Sequence, residues 1–160
     1  MHAVKKKSIF AIFIATGFGA GYWPWGPGTA GAVVATALWF ALREVALLSE
    51  QCLTSLAVIL CFTILGTWAT SKVQPFWGDD PSKVVIDEIV GVWVPLLFAT
   101  SWQEALVALV LFRFFDIVKP LGIRQLDRRK GAFWVMADDL LAGVYSAIVL
   151  CLIKWCVWGS

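Results

Sequence analysis

The chain has 160 residues, of which 60% are hydrophobic and only 15% charged, with a mean hydropathy of +0.80. Soluble domains average roughly 45–50% apolar and about 25% charged, and a single core of this size could not bury such an excess. The composition excludes disorder and collagen-like repeats, and thirteen Lys+Arg against eleven Asp+Glu, a net +2, argues against nucleic-acid binding.

These figures predict an all-α integral membrane protein, one domain over residues 1–160, with length for roughly four to six spans of about 20 residues. Lys5, Lys6 and Lys7 precede an uncharged run, Ser8–Leu42. That run is broken by Gly21-Tyr22-Trp23-Pro24-Trp25-Gly26-Pro27-Gly28-Thr29, which no helix crosses intact. Residues 8–20 are therefore a short apolar segment, re-entrant or interfacial; three lysines before a short apolar run also fit a cleaved signal peptide. A helix opens near Thr29, as N-cap, and runs to about Leu48. Residues 52–71 are uncharged and form the clearest span. A polar loop, 72–83, contains Pro75, Gly78, Asp79, Asp80 and Pro81. The next span, 84–100, carries Asp87 and Glu88 in its first turns, and 104–118 carries Arg113 and Asp116 near its end. A basic loop, 119–130, leads to a last span at 134–153 with Asp138 and Asp139 near its start. Cys52, Cys61, Cys151 and Cys156 lie in apolar stretches without a CxxC pair, as small hydrophobes do.

The positive-inside rule selects among topologies. With five spans and a first segment that does not cross, Lys5–Lys7, Lys72, Lys83, Lys119, Arg124, Arg128, Arg129 and Lys130 all face the cytoplasm. Only Arg43 and Lys154 fall on the far side. The same assignment gathers Asp87, Glu88, Arg113, Asp116, Asp138 and Asp139 at the cytoplasmic ends of three helices.

A carboxylate in the membrane costs on the order of 2.5–3.5 kcal/mol, so such groups are paired or functional. An Arg113–Asp116 pair with the other acids snorkelling is the bland account. Five carboxylates with one arginine repel unless a cation sits among them, and hard oxygen ligands suit Mg²⁺ or Mn²⁺. Asp87, Glu88, Asp116, Asp138 and Asp139 are the candidate metal ligands. Gly91 and Gly143, each four residues after an acid, would let their helices pack closely. Pro27-Gly28-Thr29-Ala30-Gly31 reads as a helix start able to bind a phosphate. Lys119, Arg124, Arg128, Arg129 and Lys130 in the basic loop would bind phosphate or lipid headgroups. The combination points to chemistry on a lipid-borne phosphate.

The residues also resemble a known family, the phosphatidylglycerophosphatase A family. The resemblance runs from about Ala15 to Val149. It rests on Ala15-Thr16-Gly17-Phe18-Gly19-Ala20-Gly21 with Pro27-Gly28-Thr29-Ala30-Gly31, and on Asp87-Glu88-Ile89-Val90-Gly91. Phe112-Arg113-Phe114-Phe115-Asp116-Ile117-Val118-Lys119-Pro120 follows, with Ile123-Arg124 and Asp127-Arg128, then Asp138-Asp139-Leu140-Leu141-Ala142-Gly143. The chain departs from it in lacking a second proline after Pro120 and in having Ala132 and Trp134 where glycines are usual. The resemblance implies Mg²⁺-dependent hydrolysis of phosphatidylglycerophosphate to phosphatidylglycerol in a bacterial inner membrane, with the site facing the cytoplasm. It also argues against signal cleavage, since the segment removed would carry part of the motif.

Other routes to phosphate-ester cleavage are missing from the sequence. No Cys-x5-Arg loop and no Asp-x-Asp motif is present, and the single histidine is His2. Metal-assisted hydrolysis remains, with Asp87, Glu88, Asp116, Asp138 and Asp139 around the metal. Arg113 and Lys119 would stabilise the phosphoryl oxygens, and Gly28, Thr29, Arg124 and Arg128 would bind phosphate. Either water or a carboxylate could be the nucleophile. Two rivals from other classes are a small ion or proton transporter, which would place its acids near mid-membrane, and a lipid-binding scaffold, which would need only the basic loop.

Overall fold

A computed structural model describes residues 8–44 and 52–158. The basic N-terminus with His2, and the stretch of the second helix towards Leu48, lie outside the described residues. Among the described residues the chain is helical, with no β-strand. The helices are α1 (Ile9–Ala15), α2 (Pro27–Glu44), α3 (Cys52–Trp77), α4 (Ile86–Leu96), α5 (Trp102–Val118), α6 (Ile123–Asp127) and α7 (Ala132–Ile153). The last continues into a π-helical stretch, Lys154–Trp158.

Seven residues give α1 a rise of about 10 Å, too short to cross a membrane. It ends where Gly17, Phe18 and Gly19 all take positive φ (53°, 59° and 98°), folding the chain back on itself. Val85 N then donates to Ala15 O at 2.9 Å, tying this segment to the start of α4. A Cβ on Gly21 would collide with Lys83 O, and one on Gly31 would lie 2.9 Å from Val85 Cβ. These glycines let residues 15–31 press directly on the segment leading to Asp87.

Several boundaries differ from the sequence reading. α2 opens at Pro27, a residue suited to the first helical position, so Thr29 lies inside the first turn and is not the N-cap. α3 runs through Pro75 to Trp77, giving up the one helical hydrogen bond that the proline N–H would have made. The helix stops at Gly78, whose φ of 103° and N–H to Gln74 O (3.0 Å) close it in a left-handed cap. The basic loop contains a short helix of its own, α6.

α4 is the centre of the bundle. It packs on α2, α3, α5 and α7 and is buried on nearly every face. Trp93, 1% exposed, donates its indole N–H to Ala35 O of α2 at 3.0 Å and touches the rings of Trp39 and Phe62. Gly91 meets Gly143 where α4 crosses α7, so closely that a Cβ on Gly143 would collide with Gly91 O. The outside is inverted relative to a soluble protein. Leu56, Leu60 and Ile64 of α3, Leu106, Val110 and Phe114 of α5, and Val144, Ile148 and Leu152 of α7 form exposed stripes at helical spacing. Stripes of this extent mark faces made for an apolar surrounding.

Two helical stretches, Thr54–Trp77 and Ala132–Val157, are long and apolar enough to cross a membrane by length and composition. α2 and α5 have 18 and 17 residues. α4, expected within a span over 84–100, has 11 helical residues and rises about 16 Å.

Candidate active site

The ends of several elements meet around one cavity of about 500 Å³. The N-termini of α2, α4 and α7, the C-terminus of α5, and the 79–82 and 127–130 segments all line it. Asp87 and Glu88 enter from the first turn of α4, and Asp138 and Asp139 from the first half of α7. Arg113 and Asp116 sit one turn apart near the end of α5, and Lys119 caps that helix. Helical spacing puts Arg113 and Asp116 on one face, and the Gly91–Gly143 crossing brings the acids of α4 and α7 together.

Asp87, Asp138 and Asp139 are buried, at 8%, 5% and 3% exposure. The acids divide into two kinds. Asp116 is taken up by Arg113 (Nη1 to Oδ2, 2.5 Å) and Asp138 by Lys119 (Nζ to Oδ2, 2.7 Å). Asp87, Glu88 and Asp139 instead bring one carboxylate oxygen each within 4.8 Å of one another. No hydrogen-bond partner reaches Asp87 Oδ1, Glu88 Oε2 or Arg113 Nε, all of them buried. Buried polar atoms rarely go unpaired, and three converging carboxylates, two of them with an oxygen unsatisfied, are the donor set that hard divalent cations take. Thus of the five expected metal ligands, three converge, and Asp116 and Asp138 are occupied by cations.

Lys119 holds a second acid, Asp127 Oδ1, at 2.5 Å. Burial alone would lower the ammonium's pKa, but its hydrogen bonds to Asp127 and Asp138 outweigh that and raise it well above the ordinary lysine range. Glu88 occupies the place expected for phosphate at the start of α2. Its Oε1 lies against Gly28, where a Cβ would collide with it, and Arg113 Nη1 is 4.0 Å from that oxygen. Glycine at position 28 therefore clears room for the Glu88 carboxylate.

The remaining expected phosphate ligands separate. Gly28, Arg113, Lys119 and Arg128 line the cavity, whereas Thr29 and Arg124 do not. Arg124 turns away to donate to Val118 O at 3.3 Å. Arg129 and Lys130 of the basic loop line it too, and so do Asp79, Asp80 and Asp127, which sequence reasoning did not place at the site. Asp79 pairs with Lys130 at 3.0 Å, joining the loop after α3 to the loop before α7. The clustering of charge at 79–80 and 127–130 was the available signal, but only the fold puts those two segments on facing walls.

Helices with apolar outer faces, holding acids and cations together in one cavity at their ends, form among the described residues the kind of site that a membrane enzyme acting on a charged group needs. The chain belongs to the phosphatidylglycerophosphatase A family, whose model matches residues 13–154. A phosphatidylglycerophosphatase A of Haemophilus influenzae is 38% identical over 95% of this chain and 94% of its own length. That of Escherichia coli is 36% identical over 86% of this chain and 79% of its own. A protein of Bacteroides thetaiotaomicron named "Putative phosphatidylinositol-3-phosphatase" is 44% identical over 96% of this chain and 99% of its own length. No solved structure matches the chain.

Proposed function

We propose that this chain hydrolyses the phosphate monoester of phosphatidylglycerophosphate, giving phosphatidylglycerol and phosphate, at the cytoplasmic face of a bacterial inner membrane. The observation that carries this reading is the trio of Asp87, Glu88 and Asp139, with Asp87 Oδ1 and Glu88 Oε2 unpartnered and Arg113 4.0 Å from Glu88 Oε1, in a chain of this family. The trio fits Mg²⁺. A divalent cation held there supplies Lewis-acid polarisation of the phosphoryl group and acidifies an attacking water. Arg113, fixed by Asp116 and with Nε free, is oriented to hold the equatorial phosphoryl oxygens, where charge builds in the transition state. Lys119 keeps Asp138 and Asp127 in place and adds positive charge beside the reacting group. Arg128, Arg129 and Lys130 on the outer wall suit the second, diester phosphate of the same lipid. Five crossings with the cavity inside remain the topology the charge distribution favours. The acids gather at one end of the bundle, and a transporter would need them near its middle.

A phosphoinositide is the second candidate substrate, favoured by the 44% identical Bacteroides relative and its name. Phosphate release by the purified chain in detergent, from phosphatidylglycerophosphate and from phosphatidylinositol 3-phosphate, separates the two. The expected result is faster release from phosphatidylglycerophosphate, abolished by a chelator and restored by Mg²⁺. Asp87→Asn and Asp139→Asn should each lose the thermal stabilisation that Mg²⁺ gives the wild type. Release indifferent to the chelator overturns the metal assignment, and no release from either lipid overturns the phosphatase reading.

A further inference from the structure

Cleaving an alkyl phosphate leaves an alkoxide, a poor leaving group unless a proton reaches it as the bond breaks. The cavity holds several carboxyls outside the Asp87–Glu88–Asp139 trio, and all but one are engaged. Asp79 is paired with Lys130, Asp116 with Arg113, and Asp127 and Asp138 with Lys119. Asp80 lines the same cavity, and no hydrogen bond or ion pair engages its carboxyl among the described residues.

Its neighbours make local contacts. Gln74 Nε2 donates to Asp79 O at 2.5 Å, Lys130 grips the Asp79 carboxylate, and buried Pro81 follows, its carbonyl accepting from Val84 N at 2.8 Å. Asp80 thus faces Lys119 and Asp116 of α5 and Asp127 of α6, with Arg128, Arg129 and Lys130 on the same walls. It stands apart from the trio, on the loop after α3. An in-line displacement puts the leaving oxygen on the side of phosphorus away from the attacking water.

We propose that Asp80 is the general acid for the leaving headgroup oxygen; this rests on the phosphatase reading above. As the water oxygen bonds to phosphorus, the bond from phosphorus to the headgroup oxygen breaks and its electron pair stays on that oxygen. The oxygen takes the Asp80 proton and leaves as the lipid's free hydroxyl. The attacking water gives up its proton to solvent, and Asp80 regains one from solvent. Asp80 is exposed at the cavity mouth, and the partial desolvation it meets against the cavity wall raises its carboxyl above the usual carboxylate range; Asp127 and Asp116 push the same way and Lys119 opposes them. That direction favours the protonated form the step needs.

The test compares phosphatidylglycerophosphate with its analogue carrying sulfur in place of the ester oxygen that leaves. A thiolate leaves without a proton, since thiols ionise near pH 8.5 rather than far above neutrality. Asp80→Asn should lower kcat on the natural lipid by about a hundredfold or more with little change in KM. The same variant should cleave the sulfur analogue at close to the wild-type rate. The alkaline fall of wild-type kcat should vanish in Asp80→Asn and persist in Asp80→Glu. Equal losses on both substrates, or a change confined to KM, would overturn the proposal. Wild-type protein inactive on both lipids would overturn the phosphatase reading instead.

Discussion

Lys119 donates to Asp138 at 2.7 Å from a left-handed backbone (φ 49°, ψ 56°) at the end of α5, joining the last turn of one helix to the start of another. The same ammonium reaches Asp127 of α6, so one side chain fixes three elements around the cavity. Its removal leaves Asp138, only 5% exposed, without its cation. Lys119→Met should therefore destabilise the fold by about 3 kcal/mol, as breaking a buried pair does, seen as a lower melting temperature in detergent. The folded-state pKa of Lys119 lies above the unfolded value, so its contribution is complete below about pH 10.4. It is lost only as pH rises further, through the folded value. Melting of the wild type should show no loss from this pair between pH 7 and pH 10, and Lys119→Met should abolish the pair's share of any decline above that.

A second prediction concerns the crossing of α4 and α7. Alanine is favoured over glycine in a helix by about 1 kcal/mol, which would make Gly91→Ala or Gly143→Ala stabilising on propensity alone. At Gly91 the new Cβ would sit 2.8 Å from Asp139 O and against the Phe112 ring; at Gly143 it would meet Gly91 O. Backbone carbonyls cannot swing aside, so the helices must separate, at a cost of roughly 1–3 kcal/mol or more. Both variants should melt earlier and lose activity, because the same crossing holds Asp87 beside Asp139. Melting and phosphate release, measured on the same preparations, check this.

Much of the site could be read from the sequence because helical spacing is local: Asp87 with Glu88, Arg113 with Asp116, and Asp138 with Asp139 each project from one helix end. The family motifs were equally legible. The division of labour among the acids was not. Whether a carboxylate meets an ammonium or other carboxylates depends on which helix end it faces: Asp138 meets Lys119, whereas Asp139 converges with Asp87 and Glu88. Asp80 and Asp127 escaped notice for the same reason, since their loops face each other only once α3, α5 and α6 have packed. The helix limits moved where local chemistry overrode a rule of thumb. Pro27 starts α2 ahead of Thr29, and Pro75 sits too close to the end of α3 to stop it.

The basic loop gives a graded prediction. Arg128 lines the cavity, whereas Arg124 is exposed and spends its guanidinium on Val118 O, and Thr29 is exposed on α2 outside the lining. Arg128→Ala should raise KM for the lipid substrate, with the salt sensitivity expected of a lost charge contact. Arg124→Ala and Thr29→Ala should stay near wild type. A larger defect in Arg124→Ala than in Arg128→Ala would contradict the assignment of Arg128 to the outer wall. Steady-state kinetics in mixed micelles at low and moderate salt distinguish these outcomes.

The last prediction tests the topology through the shortest central helix. α5 brings Lys119 to the cavity and runs 17 residues away from it, so Trp102 lies about 25 Å along the axis from that end. α4 covers only about 16 Å in the same direction, and residues 97–101 must supply the rest of the descent. The two distances fit a chain that enters at the cavity, reaches the opposite side near residue 101 and returns. Single cysteines at Ser82 and Gln103, both exposed, in a chain with its four native cysteines replaced, report the two sides. In intact cells an impermeant maleimide should label Gln103→Cys and spare Ser82→Cys, and in lysed cells it should label both. The reverse pattern would put the cavity outside, against the distribution of Lys and Arg. Equal protection of both sites in intact cells would mean that α4 and α5 form a hairpin that enters and leaves on the cytoplasmic side.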